Sequence, residues 1–400
     1  MKKTSRNLLI PNIPKKKLLA YTLIAAAALA VFLFLWLWNS SHPVDYLIYD
    51  SQTISYDKGK VVEVLNEELQ KENDTSGRML GTQKILVQMT SGAQKGRQIE
   101  INNVLSTAHN IPLSPGDSII VKVDAPENAE PFYSVYNYDR TGGTILISII
   151  FLLFLVFVGK SKGLRSALGI AFTLLLILFG LLPMLYHGYS PVLCCFGTIL
   201  LTSTVCLSLL SGITQRTLIN LASVLLGTGA VSLFYLLFTA LLNLSGYNYE
   251  EAEELLVVSQ NTGLGIGELL FVGVMVSSLG AVMDMTMSLS SPLFEMKSLK
   301  PEIKARELID SGFRIGRDMS GTMSQTLILA FIGSSLTAML VLRSYGVHFN
   351  QFLSSDYMAI EILHGIIGGL SVILSIPVTV LLSTWFLCKH GAPSRKERYS

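Results

Sequence analysis

Residues 267–297, GELLFVGVMVSSLGAVMDMTMSLSSPLFEMK, decide the fold class of this chain. Between Glu268 and Glu295 the only charged residue is Asp284. A helix of about 20 apolar residues crosses the roughly 30 Å hydrocarbon layer of a bilayer, because its backbone polar groups pair within the helix. This stretch therefore predicts a membrane-spanning helix that carries a single carboxyl group.

The rest of the chain has the same character. Its 400 residues are 50% hydrophobic and only 14% charged, whereas soluble domains carry about a quarter charged residues. We predict a polytopic α-helical membrane protein with eight transmembrane helices. The predicted spans are residues 18–38, 142–159, 164–185, 191–212, 217–242, 264–294, 323–345 and 358–388.

The first span is predicted to be a retained anchor. It follows a basic segment, residues 1–17, as a signal peptide would, but its apolar run is longer than the roughly 7–15 residues of a signal. Asn39 to Pro43 offers no small-residue cleavage site, and Trp36 and Trp38 suit a headgroup belt.

The basic residues predict the orientation. With the N-terminus in the cytoplasm, almost all loop lysines and arginines also fall there, and the short outer loops hold only Arg343. We therefore expect a cell membrane protein with both termini inside. The predicted parts are a cytoplasmic N-terminus 1–17, an anchor 18–38, an extracytoplasmic domain 39–141, a seven-helix bundle 142–388 with a cytoplasmic loop 297–318, and a tail 389–400.

The extracytoplasmic segment 39–141 has a β pattern. Apolar residues alternate in five short runs separated by turn signals such as Pro115-Gly116-Asp117. The runs are Lys60–Leu65, Thr82–Thr90, Arg97–Asn102, Ser118–Val123 and Phe132–Tyr138. Five short strands predict a small OB-like or SH3-like β-barrel, which is either a spacer or docking module or a ligand-binding domain.

The loop 297–318 has an amphipathic helical pattern. Ala305, Leu308, Ile309, Gly312 and Ile315 share one face. The segment is either a helix that lies on the inner leaflet or a connector that its charges keep at the surface.

Asp284 belongs to a stripe of small and polar residues. The stripe, called here the Asp284 stripe, comprises Gly273, Ser277, Gly280, Asp284, Ser288 and Ser291. If the whole run crosses the bilayer, Asp284 lies near its middle; if the helix ends near Leu289, it lies about a turn from the inner surface. An intramembrane carboxylate costs about 3 kcal/mol and normally faces a bundle interior or cavity. Asp284 therefore has two interpretations: it couples transport to a proton or ion, or it only fixes the packing of the helices.

Other predicted spans carry similar stripes. Glu361 and His364 form a second polar cluster one turn apart, which either belongs to the bundle or sits among headgroups. Further stripes are Gly368, Ser371 and Ser375 on the last span, Asn220, Ser223 and Gly227, and Gly197, Thr204, Ser208 and Ser211. They predict a tight bundle with a polar interior.

Signatures of other classes are missing from the sequence. It has no H-E-x-x-H motif and no Walker A loop, so we expect no enzyme, no metal site and no cofactor. The basic residues orient the chain in the membrane, so we expect the lipid bilayer and not nucleic acid as a partner.

Two stretches carry a family resemblance: SLGAVMDMTMSLSSPLFEMK, residues 278–297, and RELIDSGFRIGRDMSGTMSQTLILAFIGSSLTAML, residues 306–340. In these and in its layout the chain resembles the YibE/F-like family of bacterial multipass membrane proteins. That resemblance implies a bacterial plasma membrane and no established activity.

The order of an Asp-bearing helix, a basic loop and a Thr-rich helix is also similar to one half of SecD/SecF and RND-type proton-coupled proteins. This second resemblance implies that Asp284 carries a proton, that Thr322 and Thr326 are its neighbours, and that a second related chain or copy completes the pore. The chain departs from that pattern in its helix number and its small outer domain.

Two functional hypotheses result. The first is a permease-like or export component that uses Asp284 for proton or ion coupling. The second is a non-transporting scaffold whose outer β domain recruits a cell-envelope or membrane partner.

Overall fold

A computed structural model describes residues 15–43, 53–71, 77–126, 129–245, 247 and 252–390. The predictions for residues 1–14 and for the tail beyond residue 390 lie outside this part. The chain divides into two compact units: residues 47–154, and a helical unit built from residues 1–46 and 155–400.

The first unit contains a sheet of five antiparallel strands. They are β1 (Ile54–Lys71), β2 (Met79–Met89), β3 (Gln98–Leu105), β4 (Ser118–Asp124) and β5 (Phe132–Tyr138), in the spatial order β3-β2-β1-β4-β5. Three strands in succession with the fourth returning beside the first form a Greek key. The chain must cross from β3 to β4 past both β2 and β1, which explains the long connection between them.

This sheet is a strand half-barrel, so the predicted β domain is confirmed, and its OB-like or SH3-like type stays a prediction. β1 pairs with β4 through its first half and with β2 through its second, with register shifts near Val61 and Val64. Such bulges bend a strand, and they bring β3 and β5 near each other without a ladder between them. The predicted alternation is confirmed, since Ile85, Val87 and Met89 are buried in the core.

Two buried amides tie the β3–β4 connection to this sheet. Gln83 donates from Nε2 to the carbonyl of Leu113 (3.1 Å), and its Oε1 accepts from the Leu113 amide (2.9 Å). Asn103 donates to the carbonyl of Ile111 (2.8 Å) and to Gln83 Oε1 (3.3 Å). These bonds hold Ile111 and Leu113 in the core.

The remaining described structure is helical. Its elements are α1 (Lys15–Ser41), α2 (Thr141–Leu176), a π-helical turn (Ile177–Leu181), α3 (Leu182–Tyr186), α4 (Pro191–Ser211), α5 (Gln215–Leu242), α6 (Ala252–Thr262), α7 (Ile266–Leu299), α8 (Ala305–Ser344), α9 (Phe349–Leu353) and α10 (Asp356–His390). The protein is thus a polytopic helical membrane protein with a β domain.

Six helical runs within the described ranges are long and apolar enough to cross a membrane. The first, Thr141–Tyr186, contains a non-helical residue, Lys160 (φ 48°, ψ −128°). Dividing this run at Lys160 and adding α1 reproduces the eight predicted spans, and the number eight stays a prediction.

Helix α1 packs on the π-helical turn. The rings of Phe32 and Phe179 meet edge to face at 5.8 Å, and Asn39 Nδ2 donates to the carbonyl of Phe179 (2.9 Å). A π-helical turn leaves carbonyl groups without their usual partners in the helix, and Asn39 supplies a donor for one of them.

The amphipathic segment before the seventh span is helical from Ala305 onward, and its place at the inner leaflet stays a prediction. Residues 305–318 are the beginning of α8, which continues unbroken to Ser344. Its apolar face packs on α7 and α10: a methyl group at Gly312 would lie 2.8 Å from Val380, and one at Gly316 would lie 2.5 Å from Ile376. The glycines allow this close approach, so the apolar face is covered by protein rather than by lipid.

Candidate functional site

Helices α5 and α7 run antiparallel, and side-chain contacts fix their register. The rings of Tyr235 and Phe271 lie 5.2 Å apart, and Ser232 Oγ lies 3.5 Å from Met275 Sδ. At the other end, Arg216 donates from Nη1 to Ser291 Oγ (3.2 Å). As the residue number falls along α5, it rises along α7.

Helix α10 joins this pair at Gly227. A methyl group at Gly227 would lie 3.7 Å from Val282 of α7 and 3.8 Å from Ser375 of α10. One turn further along both partners, Thr379 Oγ1 donates to Thr286 Oγ1 (3.4 Å). By the same register, Ser223 lies level with Thr286, and Asn220 lies level with Leu289 and Ser290.

Buried polar side chains follow this three-helix junction. We call the set the polar seam; all its members are at most 2% exposed. On α10 they recur at every fourth residue, which places them on one face. The seam comprises Asn220 and Ser223 of α5, Ser278, Thr286 and Ser290 of α7, and Ser371, Ser375, Thr379 and Ser383 of α10.

Some of these polar atoms have no partner. Both amide atoms of Asn220 and the hydroxyls of Ser223 and Ser383 are buried without a hydrogen bond among the described residues. The hydroxyls of Ser278, Ser371 and Ser375 instead donate to carbonyls of their own helices. Buried polar groups are almost always hydrogen-bonded, so an unsatisfied group requires an explanation.

Arg216 marks one end of the seam. It lies one turn before Asn220 on α5, half-buried, and it donates to Ser211 of α4 (3.2 Å) and to Ser291 of α7. It thereby links the ends of three helices through neutral hydroxyl groups.

The Asp284 stripe lies on the opposite face of α7 from the seam. The buried face carries Met275, Val282, Met285 and Leu289, whereas Asp284 is exposed. Methyl groups at Gly273 and Gly280 would have nothing within 4 Å, and Ser277 donates only to the carbonyl of Val274 in its own helix. Ser288 is half-buried. Among the described contacts of the stripe with other helices is the hydrogen bond that Ser291, its last member, accepts from Arg216 of α5.

Thr322 and Thr326 are exposed on α8. Their hydroxyls donate to carbonyls of α8 itself, those of Met319 (3.0 Å) and Thr322 (2.8 Å). No contact in the described structure joins them to Asp284. That Thr322 and Thr326 are neighbours of Asp284 stays a prediction.

Glu361 and His364 do lie together. His364 Nδ1 is 4.0 Å from Glu361 Oε2, and both side chains are about 15% exposed. The His364 ring also packs 5.7 Å from the ring of Phe331 on α8, and its Nε2 has no described partner. The pair thus lies on α10 against α8, about two turns before Ser371, the first seam residue of that helix.

Sequence reasoning found part of the seam. It singled out the stripes at Asn220, Ser223 and Gly227 and at Ser371 and Ser375, which the structure brings into contact at Gly227. It missed Ser278, Thr286, Ser290, Thr379 and Ser383. The signal for two of them was present, because Ser371, Ser375, Thr379 and Ser383 continue one spacing of four residues.

Comparisons with known proteins give a consistent result. A family model described as YibE/F-like protein matches residues 147–389, and one described as the YibE/F family N-terminal domain matches residues 51–138. No curated protein and no solved structure matches the chain.

Proposed function

The chain belongs to the YibE/F-like family, and we propose that it acts as a permease-like or export component. One observation carries the proposal: a seam of buried hydroxyl and amide groups lies between three helices of the bundle, with Asn220 unsatisfied near the end that Arg216 marks. Polar residues within membrane helices are costly and normally mark substrate or ion pathways. The seam between α5, α7 and α10 is the proposed pathway.

Asp284 is the proposed coupling group. Its carboxyl group is the only charge between Glu268 and Glu295, and a proton or ion bound there would remove the cost of a bare charge. Because Asp284 is exposed and Gly273 and Gly280 of its stripe have open space beside them, we include a second membrane chain in this proposed role. Either a related chain or a second copy would pack on Gly273 and Gly280, which allow a helix to approach closely.

The test is gradient-driven proton uptake into proteoliposomes, followed with an enclosed pH dye. We expect uptake by the wild-type protein and its loss in Asp284→Asn at unchanged protein content. Glu268→Gln, on the same helix, is the matched control and should keep the flux. Full uptake by Asp284→Asn would remove Asp284 from the mechanism. Co-purification in mild detergent should also yield a stoichiometric second chain or copy.

A scaffold that recruits a partner through the β domain is the second candidate. It is favoured by an exposed aromatic cluster: the rings of Tyr56 and Tyr136 meet at 4.8 Å while both are more than half exposed, and Phe132 is 69% exposed. Exposed aromatic residues are enriched at binding surfaces. Under this hypothesis, deleting residues 53–138 abolishes function, whereas Asp284→Asn has no effect on it.

A further inference from the structure

The unsatisfied atoms of the polar seam have a common location. Asn220 and Ser223 lie on one face of α5, three residues apart, and Ser383 lies one turn beyond Thr379 on α10. The register places Ser223 level with the Thr286–Thr379 pair and Asn220 about one turn beyond it, towards Ser383. Four orphaned atoms from two facing helices thus lie within a turn or two of each other.

These atoms are unsatisfied because the seam is closed. Each is fully buried, so no water reaches it with the helices in this arrangement. Leaving a buried donor or acceptor unpaired is strongly unfavourable. Separation of α5 from the α7–α10 pair would let water or a ligand form hydrogen bonds with these groups. The gain of those bonds favours an open arrangement of the three helices.

The contacts across this junction permit such a separation. Where α5 crosses α7 and α10, a methyl group added at Gly227 would meet its nearest atoms at 3.7 Å and 3.8 Å, so the helices are not tightly interlocked there. The described hydrogen bonds from α5 to α7 run from Ser232 to Met275 and from Arg216 to Ser291, on either side of Asn220 and Ser223. Between them, no described hydrogen bond joins α5 to α7 or α10 at Ser223 or Asn220.

The chemistry of the exposed groups specifies a ligand. An amide and two hydroxyls offer both donors and acceptors, and the buried residues of α5, α7 and α10 in the described structure include no charged side chain. A buried ion without an opposite charge is strongly disfavoured. The groups therefore suit a ligand that is neutral and both donates and accepts hydrogen bonds.

We infer that the polar seam is the closed form of a binding site for a neutral amide- or hydroxyl-bearing solute, which enters between α5 and the α7–α10 pair. The inference rests on the proposed permease function and specifies its substrate class. The seam itself offers no charge to pair with an ion, and the half-buried Arg216 lies at its end, where it donates to Ser211 and Ser291. Proton coupling and solute binding then occur on opposite faces of α7.

Cysteine labelling tests the site without any transport measurement. Cys194, Cys195, Cys206 and Cys388 are replaced by alanine, and Ser223→Cys and Ser383→Cys are introduced separately. Each variant, reconstituted in vesicles, is treated with neutral methyl methanethiosulfonate, with its cationic trimethylammonium-ethyl analogue and with its anionic sulfonatoethyl analogue. Val224→Cys is the control, since Val224 is equally buried in α5 but apolar.

The neutral reagent should modify both seam cysteines at least tenfold faster than Val224→Cys and tenfold faster than either charged reagent. Equal rates for the three reagents would show a path open to ions, and equal rates at residues 223 and 224 would show general breathing of the helix; either overturns the inference. So does a lack of labelling at both seam positions. If one variant fails to fold, the other carries the test. If the seam cysteines are labelled as expected but the wild-type protein shows no proton uptake, the proposed coupling role of Asp284 fails and the binding site stands.

Discussion

Gln83 and Asn220 are both buried amides, yet their surroundings differ completely. Gln83, in the half-barrel, donates to Glu67 and to the Leu113 carbonyl and accepts from Leu113 and Asn103. Asn220, in the helical unit, has no described partner for either amide atom. The first amide is explained by the fold around it. The second is not, and this difference indicates that the candidate functional site lies among the helices.

The largest effect is expected for Gln83→Leu. Leucine would leave the amide and carbonyl of Leu113 unpaired, which should cost about 3 kcal/mol of local stability. Hydrogen exchange of the segment 98–113 in the full chain measures this loss. Gln88→Leu is the matched control, because Gln88 is exposed on the same strand, and it should change stability by about 0.5 kcal/mol or less. Similar losses in both variants would contradict the role given to Gln83.

A smaller effect is expected at two glycines where helices cross. Gly316→Ala would place a methyl group 2.5 Å from Ile376, and we expect a loss of about 1–2 kcal/mol from overpacking. Gly227→Ala finds its nearest atoms at 3.7 Å and should be tolerated. Unfolding in mixed micelles compares the two variants. Greater destabilisation by Gly227→Ala would mean that the seam is the tighter junction and poorly suited to opening.

The smallest effect is local and depends on pH. Asp139 accepts from the Thr141 amide (3.0 Å) at the start of α2 and forms an ion pair with Lys58 (2.9 Å). Hydrogen bonds with Thr141, the largest cause, and with Lys58 lower the pKa of Asp139 from 3.8 to about 2. Since the pKa is lower in the folded state, the stabilisation is complete above about pH 4 and disappears as the pH falls to 2.

Hydrogen exchange of residues 132–145, compared between wild type and Asp139→Asn, checks this pH dependence. The wild type should be better protected than the variant at pH 4.5, and the advantage should shrink at pH 2.5. An advantage of the same size at both values would show that ionisation of Asp139 plays no part.

The sequence predicts the strands and apolar helices well, because alternation and run length are local properties. Ile85, Val87 and Met89 point inward as their spacing predicts. Gln83 lies two residues before Ile85 on the same inward side of the strand, so the alternation also predicts its burial. Its partner, Leu113, lies thirty residues further along the chain. Such a pairing depends on the Greek-key crossing, which no local pattern specifies.

The orientation of α7 could not be predicted for a different reason. In a membrane, lipid is as apolar as a protein core, so hydropathy does not tell the buried face of a helix from the exposed one. The small residues of the Asp284 stripe suggested a packed face, whereas Met275, Met285 and Leu289 are the ones buried in this chain. Which chain covers the stripe is information that a single sequence does not carry.

The free energy of unfolding of Asn220→Leu is the most direct test of the claim that Asn220 serves a ligand and not the fold. Because the Asn220 amide has no hydrogen-bond partner to abandon, replacing it with an apolar side chain should leave stability unchanged or raise it. A loss near the 3 kcal/mol expected for Gln83→Leu would show that Asn220 holds the helices together, and the seam would then be structural.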